Sequence, residues 1–344
     1  MMTTMLRKCC AVAALLLFAF NAFAENEHWI FVYYYAWYAN RNYDGTWMHW
    51  NENQHFPPFD IASAFYPKLG PYSSNDPGVI DQHMRWIAGA NIQVLIYSWW
   101  GRDDFTNQMV RSVLDSAADY NLKVTFLIEP YAGRTTKTIC SDVEYLQEQY
   151  GKHPAFFHMN RRPAFFIYDP DYSVEDLREL ADTIHNNTSF LLFIQSTNIS
   201  LAEDTHMDGL FAYEAVQNVL YFYDAIVKAA KEKHLIFVPC VSPGFNINRT
   251  FHVQSPLVRG RNDGKTYDDW WKRTLSSKPD HVAIISFNEW HEGTQIEPAA
   301  RINSSRYRYR SYDGTYGKTG IIAEQSFLRR TARWIDLFEQ LISQ

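Results

Sequence analysis

The sequence predicts an α/β fold, a (β/α)8 TIM barrel forming one domain with long loops at the C-terminal face of its strands. Three observations carry this expectation. Eight short apolar runs recur along the chain, helical stretches lie between most of them, and nearly every run exits into polar or aromatic residues. The runs are continuous in apolar residues rather than alternating. That pattern reads as strands covered on both faces, as parallel strands are.

The runs span 29–37, 92–100, 123–131, 163–169, 189–195, 209–214, 235–242 and 281–289. Between them, Asp76-Pro77 combines a capping acid with a first-turn proline and opens a helix to 90. Helices are expected over 106–120, 141–150, 173–185, 217–233 and 266–276, with a closing helix over 324–343. The link 196–208 has the weakest helical pattern. The strand ends carry Trp37, Trp99, Trp100, Glu129, Tyr131, Asp169, Gln195, Tyr213, Glu214, Ser242 and Glu289. A barrel enzyme keeps its chemistry on that face. An open doubly wound sheet has no need of such groups at all eight ends, and no Gly-rich phosphate loop follows any strand.

Composition narrows the partners. The 344 residues are 47% hydrophobic, ample for one large core, and the formal net charge of −6 with scattered Lys and Arg argues against nucleic acid. Aromatics reach 16%, with 11 Trp and 22 Tyr, which suits either a Tyr-rich core or walls for the apolar faces of sugars. Loops 40–69, 242–266 and 293–320 are long and too aromatic for disorder. No repeat or linker divides the chain, so residues 25–344 read as one domain.

Residues 1–24 read as a secretory leader, with Arg7 and Lys8, an apolar stretch 11–20, and Ala22-Phe23-Ala24 as the cleavage site. A signal peptide and an uncleaved signal anchor both fit. The expected destination is the secretory pathway, in the Golgi lumen or anchored facing it, or alternatively the medium or a periplasm. Five Asn-x-Ser/Thr sequons, at Asn186, Asn187, Asn198, Asn248 and Asn303, are compatible with a glycosylating lumen. Cys140 and Cys240 are too few for a disulfide framework, and whether they pair is left open by the sequence.

The chemistry concentrates where the last apolar run stops. Glu289 and Glu292 stand three residues apart in Ser286-Phe287-Asn288-Glu289-Trp290-His291-Glu292-Gly293-Thr294-Gln295-Ile296-Glu297. Glycoside hydrolysis uses two carboxyl groups about one bond, one of them protonated. The apolar neighbours Phe287, Trp290 and Ile296 desolvate the pair, which raises a carboxyl pKa as a general acid requires. The bland alternative is a solvated acid pair. The spacing alone allows either a retaining or an inverting separation. Glu297 reads as structural. Glu129 closes an apolar strand, where a carboxylate needs partners; sugar hydroxyls or an ion pair with Arg134 both serve. His291-Glu292 lacks the second His of a helical zinc motif, Gln295 standing in its place, so neither a metal nor another cofactor is expected. No Gly-x-Ser-x-Gly elbow occurs.

The chain resembles glycoside hydrolase family 99, the endo-α-1,2-mannosidases of Golgi N-glycan processing and their bacterial endomannanase relatives. The likeness runs from about Tyr33 to beyond Glu297. It rests on Phe65-Tyr66-Pro67, Leu69-Gly70-Pro71-Tyr72-Ser73-Ser74, Asp76-Pro77 with His83-Met84-Arg85, and Ser98-Trp99-Trp100. Ile128-Glu129-Pro130-Tyr131, His153-Pro154-Ala155-Phe156, Arg261-Asn262 and the acid motif at 286–297 add to it. The resemblance implies a metal-free barrel that cleaves internal α-mannosidic links with retention. It implies that Glu289 assists the substrate's own 2-hydroxyl as nucleophile, through a 1,2-anhydro sugar, while Glu292 serves as general acid and base. It also implies substrate contacts at Tyr34, His49, Trp100, Glu129, Tyr213, Arg261, Asn262 and His291. Residues 210–223 follow the family pattern poorly.

The expected activity is hydrolysis of an internal α-1,2-mannosidic bond in a glucosylated high-mannose N-glycan or in mannan. The expected partner is a mannose-containing glycan, with no obligate protein partner. Two other readings remain at this stage: a non-catalytic, lectin-like mannose binder and a metal-dependent hydrolase.

Overall fold

The computed structural model describes residues 28–168, 171–216, 219–304 and 306–343. The expected leader, Asp169 and Gln217 lie outside the described residues. Among the described residues, eight parallel strands follow one another round the sheet: β1 (Trp29–Tyr34), β2 (Val94–Trp99), β3 (Lys123–Ile128), β4 (Arg162–Ile167), β5 (Leu191–Gln195), β6 (Gly209–Phe211), β7 (Ile236–Val238, resuming at Cys240–Val241) and β8 (His281–Ile284). β8 closes the barrel by pairing β7 through Cys240↔Ala283 and β1 through Trp29↔His281. Pro239 splits β7 because it has no N–H to donate, yet its carbonyl still accepts from Ala283 N at 2.9 Å. Gly209 opens β6 where a Cβ would meet the Ile236 carbonyl oxygen at 2.2 Å, so no larger residue fits this strand spacing.

The barrel interior is packed with aromatic rings. Phe166 of β4 stacks on Phe193 of β5 at 4.8 Å, and Phe31 of β1 reaches Phe166 across the barrel at 5.7 Å. Towards the C-terminal ends, Tyr33 meets Tyr213 edge to face at 4.9 Å. The interior is thus a packed core roofed by tyrosines rather than a channel.

Among the described residues, eight helices longer than one turn occur: α1 (Pro77–Gly89), α2 (Phe105–Asp119), α3 (Thr136–Tyr150), α4 (Val174–Asn187), α5 (Ile199–Asp204), α6 (Tyr223–Glu232), α7 (Lys265–Ser276) and α8 (Ser326–Ile342). Single turns and 3-10 turns supplement them. Most helix starts are set by local chemistry. Asp76 accepts from Gly78 N at 2.8 Å with Pro77 in the first turn, and Asp104 accepts from Thr106 N at 2.8 Å. The sheet-facing stripe is spaced as a helix requires, as with Leu177, Leu180, Ala181 and Ile184 on α4.

Several expected boundaries move. α3 begins at Thr136 rather than 141, because Thr135 and Thr138 form a reciprocal capping box. The helix expected from 217 is a 3-10 turn (Val219–Phe222) leading into α6. The link 196–208 holds the short α5. A separate turn (Ile321–Glu324) precedes α8. β8 stops at Ile284, not at 289: Ile285 N and Phe287 N still bond Val241 O and Tyr33 O at 2.9 Å each, but from Ser286 the chain turns back on itself through Ser286 N to Thr294 O. Cys140 and Cys240 are free thiols, so the bridge left open by the sequence is not made.

Candidate active site

The segment after β8 is a closed loop held at its base. Ser286 N donates to Thr294 O at 3.0 Å, Ile296 N to Ser286 O at 2.9 Å and Glu297 N to Phe287 O at 2.9 Å. Phe287 N donates to Tyr33 O at 2.9 Å, tying the loop to the end of β1. The Asn288 side chain copies a strand partner: its Oδ1 accepts from Tyr35 N and its Nδ2 donates to Tyr35 O, both at 2.8 Å. Gly293 turns the loop at φ 65°, a left-handed value that favours glycine, and a Cβ there would lie 3.2 Å from Asn246 O.

Beneath the loop sits Glu297, fully buried. Its Oε2 accepts from Tyr72 OH and Trp290 Nε1 at 2.9 Å each, and its Oε1 lies 3.2 Å from His83 Nε2. His83 Nδ1 in turn meets Tyr34 OH at 3.1 Å. This paired acid ties α1, β1 and the loop together, with its buried oxygens satisfied.

Glu289 and Glu292 both border one cleft of about 380 Å³, a size suited to a small ligand. Glu289 is 3% exposed; Glu292 is more open. The Glu289 carboxylate accepts from the backbone N–H of Glu292, and its own N–H donates to Ser286 Oγ at 2.8 Å. Burial and the charge of Glu292 push the Glu289 carboxyl well above the usual carboxylate range, against the pull of the backbone donors of Glu292 and His291. Burial pushes Glu292 up to about 7, although the hydrogen bond from Tyr213 OH to its Oε2, 3.2 Å long, pulls the other way. Two such carboxyls in one desolvated site give up their protons in sequence, leaving a range with one proton between them.

His291 Nε2 donates to the His49 carbonyl, and its Nδ1 lies 3.7 Å from Glu289 Oε1. Burial lowers both His291 and His49 to about 4, so both rings are neutral at ordinary pH. Trp100 Nε1 donates to Ser98 Oγ at 3.0 Å, and Ser98 Oγ donates to Glu129 Oε1 at 2.7 Å. This chain fixes the indole plane and the acid together at the ends of β2 and β3. Tyr35 OH and Tyr213 OH are 2.7 Å apart.

Of the ten residues expected at the site, Glu289, Glu292, His291, Trp100, Glu129 and Tyr213 line this cleft. His49 stacks on Trp37, itself a wall residue, at 4.5 Å, and does not line the cleft. Three others stand elsewhere. Tyr34 turns outward from β1 into the buried pair with His83, because side chains alternate along a strand. Arg261 lies under the acid loop, donating from Nη2 to Gly293 O at 2.9 Å and Gln295 O at 2.6 Å amid Phe65, Tyr312 and Phe327. Asn262 bonds Thr266 Oγ1 at 3.0 Å at the start of α7. Sequence reasoning missed Tyr35, Tyr168, Phe245, Ile247 and Phe251 as cleft residues. The last three belong to loop 242–266. Arg249 of that loop staples it to its neighbours by bonding Asp60 and Tyr307 O. Tyr213 also borders a second cleft of about 200 Å³ with Gln195, Thr197 and Glu214.

An acid pair of this kind at the C-terminal mouth of a (β/α)8 barrel, walled by tryptophan and tyrosine, marks a glycoside hydrolase. The chain belongs to Glycosyl hydrolase family 99, whose family model matches residues 25–340. Mouse glycoprotein endo-alpha-1,2-mannosidase is 32% identical over 328 residues, covering 83% of this chain and 71% of the mouse protein. The human glycoprotein endo-alpha-1,2-mannosidase-like protein is 28% identical over 350 residues, covering 89% of this chain and 75% of its own. The solved structure of the family 99 endo-alpha-mannosidase from Bacteroides thetaiotaomicron superposes with a TM-score of 0.85 at 34% identity, covering 93% of this chain and 99% of that one.

Proposed function

We propose that the protein is an endo-acting mannosidase that hydrolyses an internal α-1,2-mannosidic bond with retention, through a 1,2-anhydro sugar. Its substrate is a mannose-containing glycan, either a glucosylated high-mannose N-glycan or mannan. The observation that carries the reading is that Glu289 and Glu292 face one cleft with Trp100 and Glu129, where burial raises both carboxyls so that the pair holds one proton between them. A general acid and a general base are then available together near neutrality.

In the first step ionised Glu289 takes the proton from the mannose 2-hydroxyl as O2 attacks C1, and Glu292 gives its proton to the departing oxygen. O2 and the leaving group are trans in an α-mannoside, so the attack comes from behind. An internal nucleophile also avoids much of the entropy cost of a bimolecular step. In the second step Glu292 takes a proton from water as the water oxygen attacks C1. The C1–O2 bond breaks and Glu289 returns its proton to O2. Two inversions give net retention. Trp100 and Glu129 hold the sugar, one by its apolar face and the other by its hydroxyls. The second cleft shared at Tyr213 supports an internal bond, since chain can extend past the scissile link. The names of the mouse and Bacteroides relatives agree with this substrate class.

Among the described residues no helix is long and apolar enough to cross a membrane. With a leader at 1–24, the enzyme works in a secretory lumen such as the Golgi, or is exported. The test is product analysis on glucosylated high-mannose glycan and on mannan, with the product anomer followed by NMR. Oligosaccharide released first as the α-anomer, and no turnover of a 2-deoxy substrate, is the expected result. Release of the β-anomer first, release of single mannoses alone, or binding without cleavage overturns the proposal.

A further inference from the structure

Part of the wall of the acid cleft is a short apolar strip. Phe245, Ile247 and Phe251 all line the cleft, and Phe251 is 47% exposed. None of the three belongs to the packed core of the barrel, and among the described residues no other ring packs on Phe251. Three neighbouring apolar side chains thus meet the cleft without protein to cover them. An apolar patch left open beside a reactive site is a binding surface.

The strip is tied to the acid loop at two points. Asn246 N donates to Glu292 O at 2.6 Å, and Thr250 Oγ1 donates to His291 O at 2.9 Å. Between these ties Phe251 N donates to Ile247 O at 3.1 Å, which turns the chain back so that both side chains share the wall. The strip follows β7, which stands four strands round the barrel from β3, whereas Trp100 and Glu129 stand at the ends of β2 and β3. The cleft therefore offers two separate walls to a glycan, and the apolar one is fixed to the backbone of Glu292.

We propose that Phe251, with Ile247 and Phe245 beside it, is the platform on which the departing sugar stacks. The proposal rests on Glu292 being the general acid. An acid that protonates the leaving oxygen lies within hydrogen-bond reach of it, so the sugar carrying that oxygen sits beside Glu292. The ring of Phe251 matches the apolar C–H face of a pyranose. Having no hydrogen-bonding atom, the three side chains bind that face and do not read its hydroxyls. They select for a sugar on the leaving side, which is what endo action on a mannose chain demands.

The experiment measures kcat/KM of the full protein on two substrates with one donor unit, whichever of glucosyl-mannose and mannobiose the wild type cleaves. One is an oligosaccharide in which that unit is linked α-1,2 to mannose; the other is the α-fluoride of the unit, which leaves no ring to stack. Phe251→Ala is expected to lower kcat/KM on the oligosaccharide about ten-fold, and on the fluoride by about two-fold or less. Phe251→Trp is expected to restore the oligosaccharide to within about two-fold of wild type, since it returns an aromatic face. An equal loss on both substrates, or none on the oligosaccharide, overturns the proposal and leaves the mannosidase reading standing. A wild-type protein that cleaves neither substrate overturns both.

Discussion

Tyr213, at the end of β6, donates its hydroxyl hydrogen to Oε2 of Glu292, in the loop after β8, across 3.2 Å. This contact joins two distant parts of the chain at the cleft and sets the balance on the acid. A donor to a carboxylate stabilises its ionised form, so the bond opposes the burial that raises Glu292 to about 7.

The alkaline limb of kcat/KM should therefore fall near pH 7, where Glu292 loses the proton it gives to the leaving group. Tyr213→Phe removes the donor, so the limb should move upward, by about 0.5–1 pH unit for one hydrogen bond. A pH profile of both proteins checks this; a limb that stays or moves down contradicts the assignment.

Glu292→Ala should lower kcat on a natural glycan by about 100- to 10,000-fold, the range for lost proton transfer. The loss should shrink on a substrate whose leaving group needs no proton. Glu289→Gln should be as damaging on both substrates, because O2 needs its base whatever departs. Kinetics on a glycan and on an activated aryl or fluoride mannoside separate the two roles.

The same burial weakens the fold at high pH. In the unfolded chain Glu292 ionises near the ordinary glutamate value of 4.5, whereas in the folded chain it holds its proton to about 7. The folded state binds the extra proton between these values. Stability from this group is thus fully present below the lower value and lost as pH rises through the upper one. Glu292→Gln should be more stable than wild type at pH 8 by up to about 3 kcal/mol, and so unfold at a higher temperature, with little difference at pH 4. Thermal unfolding at both pH values measures it.

Arg261→Ala should cost about 2–4 kcal/mol of stability, since it strips a buried donor from the carbonyls of Gly293 and Gln295. Kinetically it should lower kcat more than it raises KM, because the residue braces the acid loop and does not line the cleft. Denaturant unfolding and steady-state kinetics report the two effects. A pure KM effect would mean that Arg261 touches substrate after all.

The barrel was legible in the sequence because each strand of a parallel sheet is buried on both faces and leaves a continuous apolar run. The acid pair was legible because Glu289 and Glu292 fall where the last run ends. Tyr33, Tyr34 and Tyr35 were not separable in the same way. All three are aromatic and adjacent, and only barrel closure decides that Tyr35 meets the cleft while Tyr34 turns to His83 on α1. The family resemblance implied a substrate contact at Arg261, and the sequence carries no mark of which way that side chain points. Its aromatic cage comes from Phe65, Tyr312 and Phe327, which lie far from it in sequence. Sequence by itself determined the strand count, the chemistry at the strand ends and the identity of the two acids, since burial pattern and residue type are local properties. Tertiary structure alone decided which side chains share a cavity, and how far burial and the Tyr213 hydroxyl move the acids, since those depend on neighbours brought together only by closing the barrel.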